Sequence, residues 1–273
     1  MPTVLLVDNG SRRPGSTLGL RRLAAALGQR IGTKVHPVSL LHSSKVPPVE
    51  LDGVPAATFE PFVRAQLMGG ARELVVVPLF FGPSRALTEF IPEMLMAMRR
   101  EFGPFDVRVT ETLVPLPAGE PRLVQILCDN VRQAAAAQGL STYRAVLVDH
   151  GSPIPEVTAV RQSLALGMRL VLGGEVMLEE AVMERRDGSE YDFNGPLLEE
   201  RLRQLADADL SQPVILAMLF LSPGRHAGPG GDIEQICRSV QKGYPGFRIY
   251  PARLIGSHPV LVDILQSRYE QNL

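Results

Sequence analysis

Residues 4–14 read VLLVDNGSRRP, and residues 145–155 read AVLVDHGSPIP. Each is a short, unbroken apolar run that stops at Asp-x-Gly-Ser and passes into a proline-containing turn. An apolar run without alternation is the pattern of a strand buried on both faces, as in a parallel sheet covered by helices. The two stretches are near copies, and they differ where Asn9 stands in the first and His150 in the second.

Further pairs extend the likeness. LFFGPSRA (79–86) answers LFLSPGRH (219–226), with Ala86 in the place of His226, and GEPRLVQIL (119–127) answers SHPVLVDIL (257–265). The offset drifts only from 141 to 140 to 138 residues across these pairs. Collinear matches at a period near 140 describe a duplicated domain, since repeat arrays have periods of about 20–50 residues. Domains are expected over 1–138 and 139–273, with the boundary in the small, polar stretch 134–141.

Strand–helix alternation follows in both halves. Leu20, Leu23, Ala24, Leu27 and Ile31 form one helical stripe after the first strand, and Val157, Val160, Leu164, Met168 and Val171 form its counterpart. Further strands are expected near 35–41, 74–80 and 107–113, with helices near 59–68, 87–99 and 121–138. In the second half strands are expected near 176–183, 214–220 and 247–254. The fold class is therefore α/β: two duplicated domains, each a parallel sheet of about four strands flanked by helices, with a cleft between the lobes. Ligands of such sheets bind beyond the carboxyl ends of the strands, which is where His150 and His226 fall.

Composition narrows the partners. With 273 residues, a net charge of −1 and 21% charged residues, the chain has no basic excess to attract nucleic acid or an anionic membrane surface. MPTVLLVDNG lacks the basic start of a signal peptide, and no apolar stretch reaches 18 residues. Cys128 and Cys237 are far apart and in no metal-binding spacing, so they read as buried thiols in a reducing cytoplasm.

Histidine is both the commonest ligand for borderline divalent metals and a proton acceptor near neutral pH. His150 and His226, present in only one copy, are the candidate chemical groups. The SPGRHAGPGGD loop around His226 lets backbone approach a bulky ligand. Arg225 within it is suited to a carboxylate, and Gly151-Ser152 offers either N–H groups to an anion or a plain turn. His258 and Glu120 read as turn or capping residues, and His36 as structural. A hydrolase built on Ser152 and His150 lacks a partner acid and a nucleophile elbow.

VDHGS after the first strand, LFLSPGRH…DI after the third, and SHPVLVDIL near the end together resemble the sirohydrochlorin chelatase family. These are class II chelatases of siroheme and cobalamin synthesis, and this chain is similar to the long bilobal form, with one family unit per half. The resemblance implies insertion of Co²⁺ or Fe²⁺, as metal substrate, into an anionic tetrapyrrole, with no organic cofactor, in a monomer. By motif it maps the signature histidines onto His150 and His226. The family acid falls on Glu184, with Glu180 as rival and His42 as the twin position in the first half. Many long members carry the working site in the first half. Here Asn9 and Ala86 leave that half a degenerate partner. The resemblance also makes Ser152, Arg225 and, from the first lobe, Arg12 or Arg13 candidate substrate contacts. A non-catalytic tetrapyrrole- or metal-binding relative is the alternative.

Overall fold

In the computed structural model, which describes residues 2–271, the two quoted apolar runs are central strands of two sheets. In the first sheet β1 (Thr3–Asp8) lies between β2 (Val35–Ser39) and β3 (Glu73–Pro78), with β4 (Asp106–Val109) beyond β3. In the second, β5 (Arg144–Asp149) lies between β6 (Leu178–Val182) and β7 (Val214–Met218), with β8 (Ile249–Pro251) beyond β7. Every pairing is parallel.

Burial on both faces explains the unbroken apolar runs. Leu5 and Val7 pack among Phe59, Val63, Ile91 and Leu95, which come from α2 (Phe59–Met68) and α3 (Ile91–Phe102). Val4 and Leu6 alternate with them, face the other side, and are equally inaccessible. In the second sheet Val146 and Val148 pack against α6 (Leu198–Ala208) and α7 (Asp232–Gly243) in the same way.

The helix after each central strand, α1 (Pro14–Ile31) and α5 (Pro155–Leu172), opens with proline, whose fixed φ and missing N–H suit the first helical position. In α1 the expected stripe is buried from Leu20 to Leu27. In α5 Val160, Leu164 and Met168 are buried, but Val171 is exposed. The inward face there includes Arg161, a charged residue only 2% exposed. Several strands end earlier than their apolar runs. Leu40 and Leu41, for example, lie past β2, with their N–H groups donating to Asp8 O and Asn9 O. Apolar residues beyond a strand end are loop anchors here, which periodicity cannot separate from strand.

The chain forms two compact units, Met1–Pro115 together with Val262–Leu273, and Leu116–Leu261. They are cut differently from the sequence repeats, whose boundary was expected at 138/139. The helix closing the first repeat, α4 (Pro121–Ala137), packs on α5 and β7 in the second unit. A Cβ on Gly167 of α5 would come within 2.7 Å of Val124, so α4 and α5 approach closely. The helix closing the second repeat, α8 (Val260–Glu270), lies almost wholly in the first unit. There Arg268 donates to Thr112 O and Leu113 O, and Asp263 pairs with Arg30. Cys128 and Cys237 are buried, and burial pushes their thiols up to about 11 and about 12. Among the described residues, no helix is long and apolar enough to cross a membrane.

Candidate active site in the second unit

The order β6-β5-β7-β8 places three strand ends side by side, and each contributes one group. His150 is the first residue after β5, Glu184 the second after β6, and His226 sits in the loop leading from β7 to α7. The chain leaves β5 towards β6 on one side and returns beside it as β7 on the other. Such a switch in direction opens a crevice at the strand ends. The imidazole rings of His150 and His226 meet edge to face, with centroids 4.6 Å apart.

Each ring has a carboxylate. His150 Nε2 lies 3.2 Å from Glu184 Oε1. His226 Nδ1 lies 2.6 Å from Asp232 Oδ2, at the first position of α7. The backbone holds these partners in register. Glu184 N–H donates to His150 O at 3.1 Å, and Ile233 N–H donates to His226 O at 3.1 Å. Gly151 makes the first contact feasible: its φ is +91°, and a Cβ there would stand 2.0 Å from Glu184 O.

The hydrogen bonds assign chemistry to individual nitrogens. His226 donates from Nδ1 to Asp232, which leaves the Nε2 lone pair for a metal ion or a proton. His150 Nδ1 lies 3.0 Å from Gly151 O and donates to it. Its Nε2 then faces a carboxylate oxygen, so one proton or one cation must sit between the two acceptors. Glu184 and His150 are well exposed, at 61% and 47% of their side-chain surface, so protons can pass from the pair to water. Among the described residues no set of three or more His, Cys, Asp or Glu side chains is gathered around one metal position. Of the groups gathered here, the two imidazoles are those that could hold a metal ion.

The sequence model of the CbiX family matches residues 3–134 and again 144–272. The chain belongs to the CbiX family. Solved structures share its fold. SirB from Bacillus subtilis with Fe³⁺ has a TM-score of 0.71 at 17% identity, covering 100% of this chain and 96% of that one. SirB from Bacillus subtilis subspecies spizizenii in complex with cobalt has a TM-score of 0.62 at 17% identity, with coverage of 100% and 95%. CbiX described as the terminal enzyme of siroheme biosynthesis in denitrifying bacteria has a TM-score of 0.60 at 17% identity, covering 99% of each chain. No curated protein sequence is a significant match to this chain.

In this CbiX-family chain the remaining expected residues fall as follows. Glu184 is beside His150, whereas its rival Glu180 is turned to α5, bonded to Arg161 Nε at 3.3 Å and Arg169 Nη2 at 3.0 Å. Ser152 is committed to its loop: its N–H donates to Asn194 Oδ1 and its hydroxyl accepts from Ile154 N–H. Arg225 is 79% exposed, its Nε 3.6 Å from Asp232 Oδ2. Arg12 is exposed on the loop after β1 in the first unit. His36 lies against the Phe62 ring, and burial together with the charge of Lys34 lowers its pKa. His258 and Glu120 accept backbone N–H groups at the starts of α8 and α4, the capping roles expected of them.

The first unit keeps the frame and lacks the groups. Asn9 stands in the place of His150, and Leu41 N–H donates to Asn9 O as Glu184 N–H does to His150 O. The twin of Glu184 is therefore Leu41 and not His42, a correction of one residue. The pairings Asp8–Ser39 and Asp149–Val182 fix this register, which apolar spacing in SLLH does not reveal. Residue spacing alone does not mark Asp232 as a site residue. Its signal was present in LFLSPGRH…DI, six residues after His226, but six residues across a Gly-Pro loop define no geometry.

Proposed function

We propose that the second unit inserts a divalent metal, Co²⁺ or Fe²⁺, into an anionic sirohydrochlorin-type tetrapyrrole. The observation that carries this reading is the facing pair His150 and His226, each backed by its own carboxylate, in a chain of the CbiX family. The relatives described with Fe³⁺ and with cobalt support a metal substrate of this class.

Insertion exchanges one M²⁺ for two pyrrole N–H protons. His150 and His226 present the metal on one face of the macrocycle, and two imidazole ligands hold it loosely enough for four ring nitrogens to take it. Asp232 keeps the His226 Nε2 lone pair aimed outward. As the metal leaves, His150 with Glu184 accepts protons and passes them to solvent. Arg225, with its guanidinium in water, is the cation assigned to the substrate's carboxylates, and Arg12 carries the same charge on the first unit. Ser152 serves by shaping the His150 loop.

The test is anaerobic incubation with sirohydrochlorin and Co²⁺ or Fe²⁺, followed by absorption. Metallation above the uncatalysed rate, falling at least about a hundredfold in His226→Ala, is the expected result. Tight pigment binding by the wild type with no acceleration would replace the chelatase reading with that of a tetrapyrrole carrier.

A further inference from the structure

The loop bearing His150 is held from beneath by a buried polar cluster. Arg161 Nη1 donates to Asp149 Oδ1 at 2.8 Å, and Asp149 is the residue directly before His150. Arg161 Nη2 donates to Asn194 O at 2.6 Å, and Nε reaches Glu180 at 3.3 Å. Asn194 is fully buried. Its amide grips the loop: Oδ1 accepts from Ser152 N–H and Thr158 Oγ1, and Nδ2 donates to Ser152 O. One guanidinium therefore ties the residue before His150 to the backbone of Asn194, whose side chain fixes the residue two after it.

The first unit is an internal control. Register and helix starts place Leu20 opposite Arg161, Pro37 opposite Glu180 and Pro55 opposite Asn194. All three cluster members are gone, yet the backbone is the same. Leu40 N–H and Leu79 N–H donate to Asp8 O and Val7 O, as Met183 N–H and Leu219 N–H donate to Asp149 O and Val148 O. What remains are two buried polar atoms with no hydrogen-bond partner, Asp8 Oδ1 and Thr17 Oγ1, the counterparts of the Asp149 and Thr158 atoms bound by Arg161 and Asn194. A cavity of about 170 Å³, lined by Thr17, Leu20, Pro37, Ser39 and Ala57, lies where the guanidinium would sit. The cluster is absent from the unit that lacks the histidines, and the fold does not need it.

We infer that Arg161 and Asn194 are positioning residues, a clamp that sets the His150 loop so that the ring meets His226 and Glu184. This rests on His150 being a working residue of the proposed site. A bare fold requirement would have kept the clamp in both units, since both build the same strand end. A role for the loop carrying His150 explains why the clamp and the histidines occur in the same unit.

The test uses the full chain with Arg161→Leu, the residue found in the first unit. Asp149→Asn/Arg161→Leu is prepared beside it, so that an unpaired buried carboxylate cannot mask the result by unfolding. Arg161→Lys keeps the charge and loses the fork. Hydrogen exchange is followed at Ser152 and Glu184 N–H, with Val146 inside β5 as reference, and Co²⁺ is titrated by visible absorption. The expected result is about tenfold or faster exchange at Ser152 and Glu184, none at Val146 beyond wild type, and Co²⁺ binding weakened about ten- to a hundredfold, as for lost outer-sphere support. Arg161→Lys should fall between. Wild-type exchange at Ser152 and Glu184 in both leucine variants would overturn the clamp, whatever Co²⁺ does. If the wild type itself bound no Co²⁺, the proposed function would fall, while the exchange result would still decide the clamp.

Discussion

Asp8 shows what burying a carboxylate without a charged partner does to the energetics. It is buried at the end of β1, and burial raises its pKa from 3.8 to about 6 against opposing hydrogen bonds from Ser39, Gly10 N–H and Ser16. Between those two values the folded protein binds more protons than the unfolded chain, so stability falls as pH rises through that window. At pH 7 the buried carboxylate costs the fold about 3 kcal/mol. Asp8→Asn is therefore expected to raise the midpoint of thermal unfolding at pH 7 and to lose that advantage near pH 4. Unfolding curves of both proteins across this range check it, and a difference independent of pH would refute it. In Asp149 burial likewise raises the pKa, but the Arg161 charge and hydrogen bond oppose it, so its single-site variants act through the pair.

At the scale of an element, the turn after each central strand is the same device used for two ends. Gly10 and Gly151 have φ of +85° and +91°, and added Cβ atoms would stand 1.8 and 2.0 Å from the carbonyl oxygens of Leu41 and Glu184. Alanine at either position forces the adjoining loops apart at a cost of roughly 1–3 kcal/mol for the backbone conformation alone. Urea unfolding should show both Gly10→Ala and Gly151→Ala destabilised by similar amounts. Only Gly151→Ala moves Glu184 from His150, so only it should lose metallation, by about tenfold or more. Equal metallation by the two variants would separate the turn from the chemistry. The turn glycines and the strand cores were legible in the sequence, because each answers to its immediate chain neighbours; the start of α1 at Pro14, ahead of Ser16 and Thr17, was not. Leu41 as the twin of Glu184 was not, since a slip of one residue in a loop leaves the apolar pattern unchanged.

For the whole molecule, the closing helices decide how the chain can be divided. In α4, Leu123, Ile126, Leu127 and Val131 are each at most 1% exposed, and the helix belongs to the second unit. A fragment 139–273 lacks these side chains, each contributing about 1.5–3 kcal/mol of burial, against a total stability of about 5–15 kcal/mol for an ordinary domain. It also carries α8, whose Arg268 partners lie in the first unit. We expect 116–261 to unfold cooperatively in urea and 139–273 not to do so. Cooperative unfolding of 139–273 with a slope suited to its size would show that each repeat folds by itself.

Sequence by itself determined the duplicated parallel α/β plan, the family, and the asymmetry that puts His150 and His226 in one copy only. Strand burial, helix stripes and turn glycines are local patterns, and comparing two copies within one chain marks the residues that structure does not require. Tertiary structure decided the rest: Glu184 against His150 and Glu180 against Arg161, Asp232 behind His226, the Arg161–Asn194 clamp, and the exchange of α4 and α8 between units. Each is a contact whose geometry the spacing of residues along the chain does not define, even where a motif names the residue, as it does for Glu184. Hydrogen bonds of a few ångströms are set by register between strands and by loop paths, and neither is written in the spacing of residues along the chain.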